Sequence, residues 1–233
     1  ALDDTGRRLA VGADYTSWSM ASMPYRHIHT DLFRYMFELD DGAVGNNFPS
    51  GQIKWTRRFT YSDGDMTDQR SKSAVALSGD GSTIAIGAYQ AHVVYVFKKK
   101  NQFEFEYKLE ADEYAKYFGY NLDINYTGDK VMVGAYNYDN CHGKAYYFEN
   151  DILIDSLQSH ETKAGDFFGR SICFNDDATE CYIGATGANT VYRFKFNDTW
   201  IESESIKGDS ESSFGNSISY SCLLYTSPSP RDS

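Results

Sequence analysis

The sequence predicts an all-β fold, a partial β-propeller of four-stranded antiparallel blades of about 46–50 residues each. A Gly-Ala pair closes a strand-like run at Gly87-Ala88, Gly134-Ala135 and Gly184-Ala185, at intervals of 47 and 50 residues. The glycine of a Phe-Gly pair precedes the Gly-Ala glycine by 15 residues at both Phe118-Gly119 and Phe168-Gly169. The 19 tyrosines and 19 glycines among 233 residues are typical of many strands and turns.

Each repeat reads as four strands, most clearly between residues 69 and 116. The sequence predicts a short apolar strand at residues 74–77 and a turn at Ser78-Gly79-Asp80-Gly81. The next two strands, 83–88 and 93–97, are also apolar, as expected where blades crowd towards an axis. Residues 103–109 alternate between apolar and charged, which indicates an outer strand with one buried face. A β-sandwich, the main alternative, does not predict equal repeat intervals.

The repeats divide the chain into consecutive units. We expect a partial, degenerate blade with enlarged loops at 1–68, complete blades at 69–116, 117–166 and 167–212, and the first strand of a further blade at 213–221. Residues 222–232 match the translation of an adapter used in transposase-based sequencing libraries. We therefore expect 222–233 to derive from such an adapter, and the remainder to be a fragment of a larger ring.

The Phe-Gly and Gly-Ala pairs, together with a Val-Tyr-x-Phe strand such as 191–194, resemble the FG-GAP repeat family. The likeness covers 1–221 and is closer to secreted bacterial and protist members than to integrin α chains. It implies a propeller that binds protein or glycan partners outside the cell through two kinds of loop. The 2–3 loop joins the second and third strands of one blade, and the 4–1 loop joins the fourth strand of one blade to the first strand of the next. Integrin-type repeats carry a calcium loop after the first strand. The corresponding turns here, such as Ser78-Gly79-Asp80-Gly81, have too few oxygen ligands, so we predict no metal.

Charge and motifs exclude several other functions. The chain has 22 basic and 33 acidic residues and a net charge of −11, which argues against a nucleic-acid partner. No apolar run is long enough to span a membrane, and we recognise no nucleophile or cofactor motif. We therefore expect a non-catalytic protein- or glycan-binding or adhesion module, extracellular or at the cell surface, with no cofactor. The alternatives are a propeller domain of a larger extracellular hydrolase, or purely structural repeats of a large surface protein.

The predicted binding residues lie in two 2–3 loops. Exposed aromatic residues and methionines on loops above a rigid scaffold are typical of contact surfaces. The alternative is that the expanded first loop folds over its own blade. The candidates are Trp18, Met20, Met23 and Tyr25 in the first loop, and Tyr136 and Tyr138 in the blade at 117–166.

Two further features concern covalent modification. Asn125-Tyr126-Thr127 and Asn197-Asp198-Thr199 are N-glycosylation sequons on predicted turns, which matter only if a eukaryote secretes the protein. Cys173 and Cys181 flank one hairpin turn, so they form either a cross-strand disulfide, if the register allows it, or two free buried thiols.

Overall fold

The structure, a computed structural model, describes residues 74–89, 91–101, 103–209 and 212–220, together with the backbone of three strands in the first 61 residues. These three strands are β1 (Arg8–Asp14), β2 (Leu32–Leu39) and β3 (Trp55–Tyr61), and they pair in chain order as an antiparallel sheet. Trp18, Met20, Met23 and Tyr25 lie outside the described residues.

Three four-stranded antiparallel sheets follow, each with its strands side by side in chain order. We refer to them as blades 2, 3 and 4. Blade 2 contains β4 (Val75–Leu77), β5 (Thr83–Ala88), β6 (Val93–Lys99) and β7 (Phe103–Glu110); blade 3 contains β8 (Asn121–Ile124), β9 (Lys130–Ala135), β10 (Lys144–Glu149) and β11 (Ile152–Leu157); blade 4 contains β12 (Phe168–Phe174), β13 (Glu180–Ala185), β14 (Thr190–Asn197) and β15 (Thr199–Lys207). The predicted fold class, an all-β propeller of four-stranded blades, is confirmed.

The apolar core lies between successive blades because both faces of each inner strand are covered. Val131 and Val133 of β9 pack into a cluster shared with blade 2. Met132, between them in sequence, points the other way and packs into a cluster shared with blade 4. This alternation explains why the inner strands read as continuous apolar runs rather than as an apolar-polar pattern.

The glycines of the two repeated dipeptides meet where neighbouring blades touch. The Gly-Ala glycine of one blade lies directly against the Phe-Gly glycine of the next, so a side chain would strike backbone. A Cβ atom would lie 2.0 Å from the Gly119 carbonyl oxygen if built on Gly87, and 2.0 Å from that of Gly169 if built on Gly134. Built on Gly184, it would lie 2.1 Å from the carbonyl oxygen of Gly215, the glycine of a third Phe-Gly pair, Phe214-Gly215. Both dipeptides therefore recur because blade contact requires glycine on each side.

The chain continues past blade 4 without a strand in residues 212–220. Gly215 nevertheless occupies the same position against Gly184 that Gly119 occupies against Gly87. Within the described residues, no helix is long and apolar enough to cross a membrane. The short segment Tyr138–Cys141, between β9 and β10, is a turn rather than an α-helix, because Asp139, Asn140 and Cys141 have positive φ angles of 42°, 52° and 67°.

Candidate functional site

The 2–3 and 4–1 loops of three blades bring five aromatic side chains together. Tyr89 follows β5 and Tyr136 follows β9, whereas Tyr117 and Tyr120 precede β8 and Phe167 precedes β12. All five are half-buried. We call these residues the aromatic cluster. Because they come from separate loops, the surface exists only when the blades are packed side by side.

Tyr136 is at the centre of the aromatic cluster. Its ring stacks on that of Tyr117, with 5.3 Å between centroids and an interplanar angle of 11°. It makes edge contacts with Tyr120 at 4.5 Å and Phe167 at 5.9 Å. The Tyr89 ring lies 5.2 Å from Tyr117. Such pairs contribute about 0.5–1.5 kcal/mol each beyond area burial, so the exposed edges of the rings are held in fixed positions.

The backbone at the edge of the cluster is strained in a repeated way. Tyr117 and Phe167, which each precede a Phe-Gly pair, have left-handed φ angles of 59° and 57°. For bulky residues this conformation costs on the order of 1–3 kcal/mol. Ser213, which precedes Phe214-Gly215, has a φ of 51°, so the conformation is a feature of the repeat. Hydrogen bonds hold it in place: the Tyr117 N–H donates to His92 Nδ1 at 3.0 Å, and the Phe167 N–H donates to the Cys141 carbonyl oxygen at 2.8 Å.

Arg170, on β12, adds a positive charge to the aromatic cluster. Its guanidinium carbon lies 5.3 Å from the centroid of the Tyr136 ring, 5.7 Å from that of Tyr120 and 5.9 Å from that of Phe167. Its Nε donates a hydrogen bond to Asn216 Oδ1 at 3.2 Å. Burial, followed by the neighbouring tyrosines, raises the pKa of Tyr136, and Arg170 partly opposes this rise. The Tyr136 phenol is therefore protonated at neutral pH and available as a hydrogen-bond donor.

Tyr138 belongs to a separate group on the same face. The Lys144 ammonium lies over the Tyr138 ring at 4.9 Å and over the Tyr146 ring at 5.3 Å. The Tyr146 hydroxyl donates to Asp112 Oδ2 at 2.9 Å. Burial, and then Asp112, raises the pKa of Tyr138. Of the two predicted residues in this blade, Tyr136 therefore lies in the aromatic cluster, whereas Tyr138 packs against Lys144 and the apolar core shared by blades 2 and 3.

Sequence reasoning did not identify Tyr89, Tyr117, Tyr120, Phe167 or Arg170 as site residues. One signal was available, because Tyr117 and Phe167 occupy the same repeat position immediately before Phe-Gly. No local pattern marks Arg170, which lies two residues after its Phe-Gly phenylalanine within a buried strand.

A second polar arrangement joins the innermost strands of blades 3 and 4. Asn121 Oδ1 accepts a hydrogen bond from the Ile172 N–H at 2.9 Å, and Asp123 Oδ2 accepts one from the Phe174 N–H at 2.8 Å. Burial raises the pKa of Asp123 to about 6, although the hydrogen bonds from the Phe174 and Ile124 N–H groups act to lower it. These side chains line a groove of about 340 Å³ between the first strands of blades 2, 3 and 4. They satisfy N–H groups of β12 that its own sheet leaves free.

The two sequons differ in their surroundings. Asn125 is only 4% exposed, and its Nδ2 donates to Thr127 Oγ1 at 3.0 Å and to Asp129 Oδ1 at 2.8 Å. A glycan would replace one of the two hydrogens on that nitrogen, so at least one of these hydrogen bonds would be lost. The buried turn therefore disfavours glycosylation at Asn125, which stays a prediction. Asn197 is exposed at the hairpin turn between β14 and β15, where glycosylation stays a prediction.

The cysteines next to the 1–2 turn of blade 4 are free. Cys173 lies opposite Tyr182, and Cys181 lies opposite Phe174, so the two sulfur atoms lie on opposite faces of the sheet. The disulfide interpretation is therefore wrong for this register, and the alternative of two buried thiols holds. Burial, and then the charge of Asp123, raises the pKa of Cys173 to about 12. Burial also raises the pKa of Cys181.

Comparisons with known proteins establish the fold and no closer relationship. No family model matches the chain, and no curated protein matches it.

Among the described residues, no group of three or more histidine, cysteine or acidic side chains is arranged to hold a metal ion.

Several solved structures are similar to the chain at low sequence identity. Kluyveromyces marxianus Hsv2 has a TM-score of 0.46 and 11% identity, over 75% of this chain and 65% of that one. KlAtg21, in complex with the coiled coil of AgAtg16, has a TM-score of 0.50 and 10% identity, over 76% of this chain and 55% of that one. Hydrazine synthase of Kuenenia stuttgartiensis has a TM-score of 0.46 and 15% identity, over 62% of this chain and 37% of that one. The chain spans less than two thirds of each of these structures. The likeness to KlAtg21 shows a β-propeller fold and nothing beyond the fold.

Proposed function

We propose that this chain is a non-catalytic, FG-GAP-like propeller module that binds a protein or glycan partner through the aromatic cluster, outside the cell or at its surface. The observation that carries the proposal is the assembly of Tyr89, Tyr117, Tyr120, Tyr136 and Phe167 from the loops of three blades. A rigid scaffold that presents half-exposed aromatic rings is well suited to binding, because little conformational entropy is lost when a partner docks.

The electrostatics of the face also support a binding role. Cationic and anionic groups are mixed there, with Arg170 and Lys144 close to aromatic rings and Asp112 hydrogen-bonded to Tyr146. Partly buried tyrosines and arginines are enriched where protein surfaces bind, whereas a surface kept only for solubility is dominated by lysine and glutamate. In integrins, whose repeats this sequence resembles, the 2–3 and 4–1 loops also form the ligand side, and the proposal of adhesion rests on that resemblance.

The proposal is tested by binding with matched variants on opposite faces. The chain is labelled and applied to a glycan array and to an array of extracellular proteins, together with Tyr136→Ala and Tyr126→Ala. Tyr126 is 44% exposed in the turn between β8 and β9, on the opposite face from the aromatic cluster. We expect any bound spot to lose at least tenfold in affinity with Tyr136→Ala and to be unaffected by Tyr126→Ala.

The competing interpretation is a purely structural aromatic cluster that covers its own blades. Loss of the ring contacts of Tyr136 lowers the melting temperature under either interpretation, so the distinguishing result is the binding signal, which Tyr136→Ala leaves unchanged if the cluster is purely structural. A partner whose binding depends on Tyr126 rather than on Tyr136 would also refute the proposal, since it would place the contact surface on the other face.

A further inference from the structure

Arg170 has unused hydrogen-bond donors in an otherwise strongly acidic chain. The sequence contains 33 acidic and 22 basic residues, yet no carboxylate among the described residues pairs with Arg170, whose one hydrogen bond there uses Nε. Arg193, the other arginine of the described blades, donates to Glu180 at 2.8 Å and lies 3.4 Å from Glu204. The two Nη groups of Arg170 therefore stand out as donors without an acceptor in the described part of the chain.

The surroundings of Arg170 prepare it for a ligand. Its side chain is partly buried, and its guanidinium lies against the rings of Tyr120, Tyr136 and Phe167. The hydrogen bond to Asn216 further limits its rotation. A planar guanidinium held in this way keeps its Nη donors oriented as a fork, the geometry that matches a carboxylate through two parallel hydrogen bonds.

We propose that Arg170 determines the specificity of the aromatic cluster by binding the carboxylate of an aspartate or glutamate on a protein partner. The inference rests on the proposed function and adds the chemical class of the partner to it. The surrounding tyrosines would contact apolar side chains next to that acidic residue. Tyrosine and arginine are the residues that most often dominate protein–protein binding, which favours a protein over an acidic sugar as the partner.

The test selects ligands without assuming their identity. A yeast-displayed library of random peptides is selected on the labelled 233-residue chain, and the enriched peptides are sequenced. We expect them to share an aspartate or glutamate beside an aromatic or apolar residue. Against these peptides, Arg170→Gln should lose roughly 10- to 100-fold in affinity, as expected when a charge-assisted bidentate pair is removed. Arg170→Lys should also lose affinity, because lysine keeps the charge without the fork.

Controls separate recognition from folding. Arg193→Gln removes an arginine already paired within the chain and should leave peptide affinity unchanged. Arg170→Met keeps a long side chain against the rings, so it replaces Arg170→Gln if that variant does not fold. Raising NaCl from roughly 50 to 500 mM should weaken binding of the wild-type chain more than binding of Arg170→Met.

Several results would overturn the inference. These are enriched peptides without acidic residues, equal affinity for wild type and Arg170→Gln, no enrichment at all, or binding of uronic-acid oligosaccharides on a glycan array with no acidic peptide selected. If enriched peptides lack acidic residues but still require Tyr136, the proposed binding face stands and only the role of Arg170 fails.

Discussion

Asp123→Asn tests whether a buried carboxylate between blades 3 and 4 makes stability depend on pH. Asp123 accepts hydrogen bonds from the Phe174 N–H at 2.8 Å and from the Ile124 N–H at 2.9 Å. Burial raises its pKa from 3.8 to about 6, so the folded protein binds a proton more readily than the unfolded chain. Asparagine keeps one acceptor oxygen at this position but carries no charge that burial can penalise.

The sign and size of the effect follow from the two pKa values. Above pH 6 the carboxylate is charged in both states, and burying the charge costs stability. As the pH falls below 6, the folded state takes up a proton before the unfolded chain does. The contribution of Asp123 to the free energy of unfolding therefore rises until the pH reaches 3.8. Between pH 8 and pH 5 this contribution to the free energy of unfolding rises by about 1.4 kcal/mol, and below pH 3.8 the total increase is about 3 kcal/mol.

The assay is urea unfolding of the wild type and of Asp123→Asn at pH 8 and at pH 5, followed by tyrosine fluorescence and circular dichroism. We expect the unfolding free energy of wild type minus that of Asp123→Asn to increase by about 1.4 kcal/mol from pH 8 to pH 5. Effects of pH on the rest of the molecule are common to both proteins and cancel in this difference.

Asp129→Asn serves as the matched control. Burial alone raises the pKa of Asp129, but hydrogen bonds from Thr127 and Asn125 outweigh it and the pKa is lowered. Its stabilising contribution is therefore complete above pH 3.8 and lost only at lower pH, so the difference from wild type should be constant between pH 8 and pH 5. An Asp123→Asn difference that is equally constant, or that changes in the opposite direction, would refute the reasoning about burial.

Three further predictions concern packing and covalent chemistry. Gly134→Ala should destabilise the protein by about 3 kcal/mol because its Cβ would strike backbone, whereas Gly165→Ala, with φ of 90° but open space around it, should cost only about 1–2 kcal/mol in the same urea assay. After secretion from a eukaryotic cell, glycopeptide mass spectrometry should find Asn197 modified and Asn125 unmodified, and the reverse pattern would contradict the structure of the Asn125 turn. In the folded protein at pH 8, iodoacetamide should leave Cys173 unmodified because burial raises its pKa to about 12, and rapid alkylation would show that this strand opens.

The sequence by itself determined the repeat and therefore the fold. Blades touch through backbone at Gly87, Gly134 and Gly184, so glycine recurs there at each repeat, and the spacing of the dipeptides is visible without any structure. The apolar runs of the inner strands follow from the same cause, because neighbouring blades bury both faces of each strand. These constraints repeat locally along the chain, which is why they can be read from it.

Only the tertiary structure showed which side chains of different blades are in contact. Tyr89, Tyr136 and Arg170 belong to one group of side chains because two loops and strand β12 meet on one face, and no residue next to any of the three in sequence indicates these contacts. The burial of Asn125 depends on hydrogen bonds within its turn, which a sequon does not encode. The separation of Cys173 from Cys181 depends on a register offset of one residue, which reverses the face of the sheet on which a side chain lies. Contacts that repeat were predictable from the sequence, whereas those that arise once, from packing or register, required the folded chain.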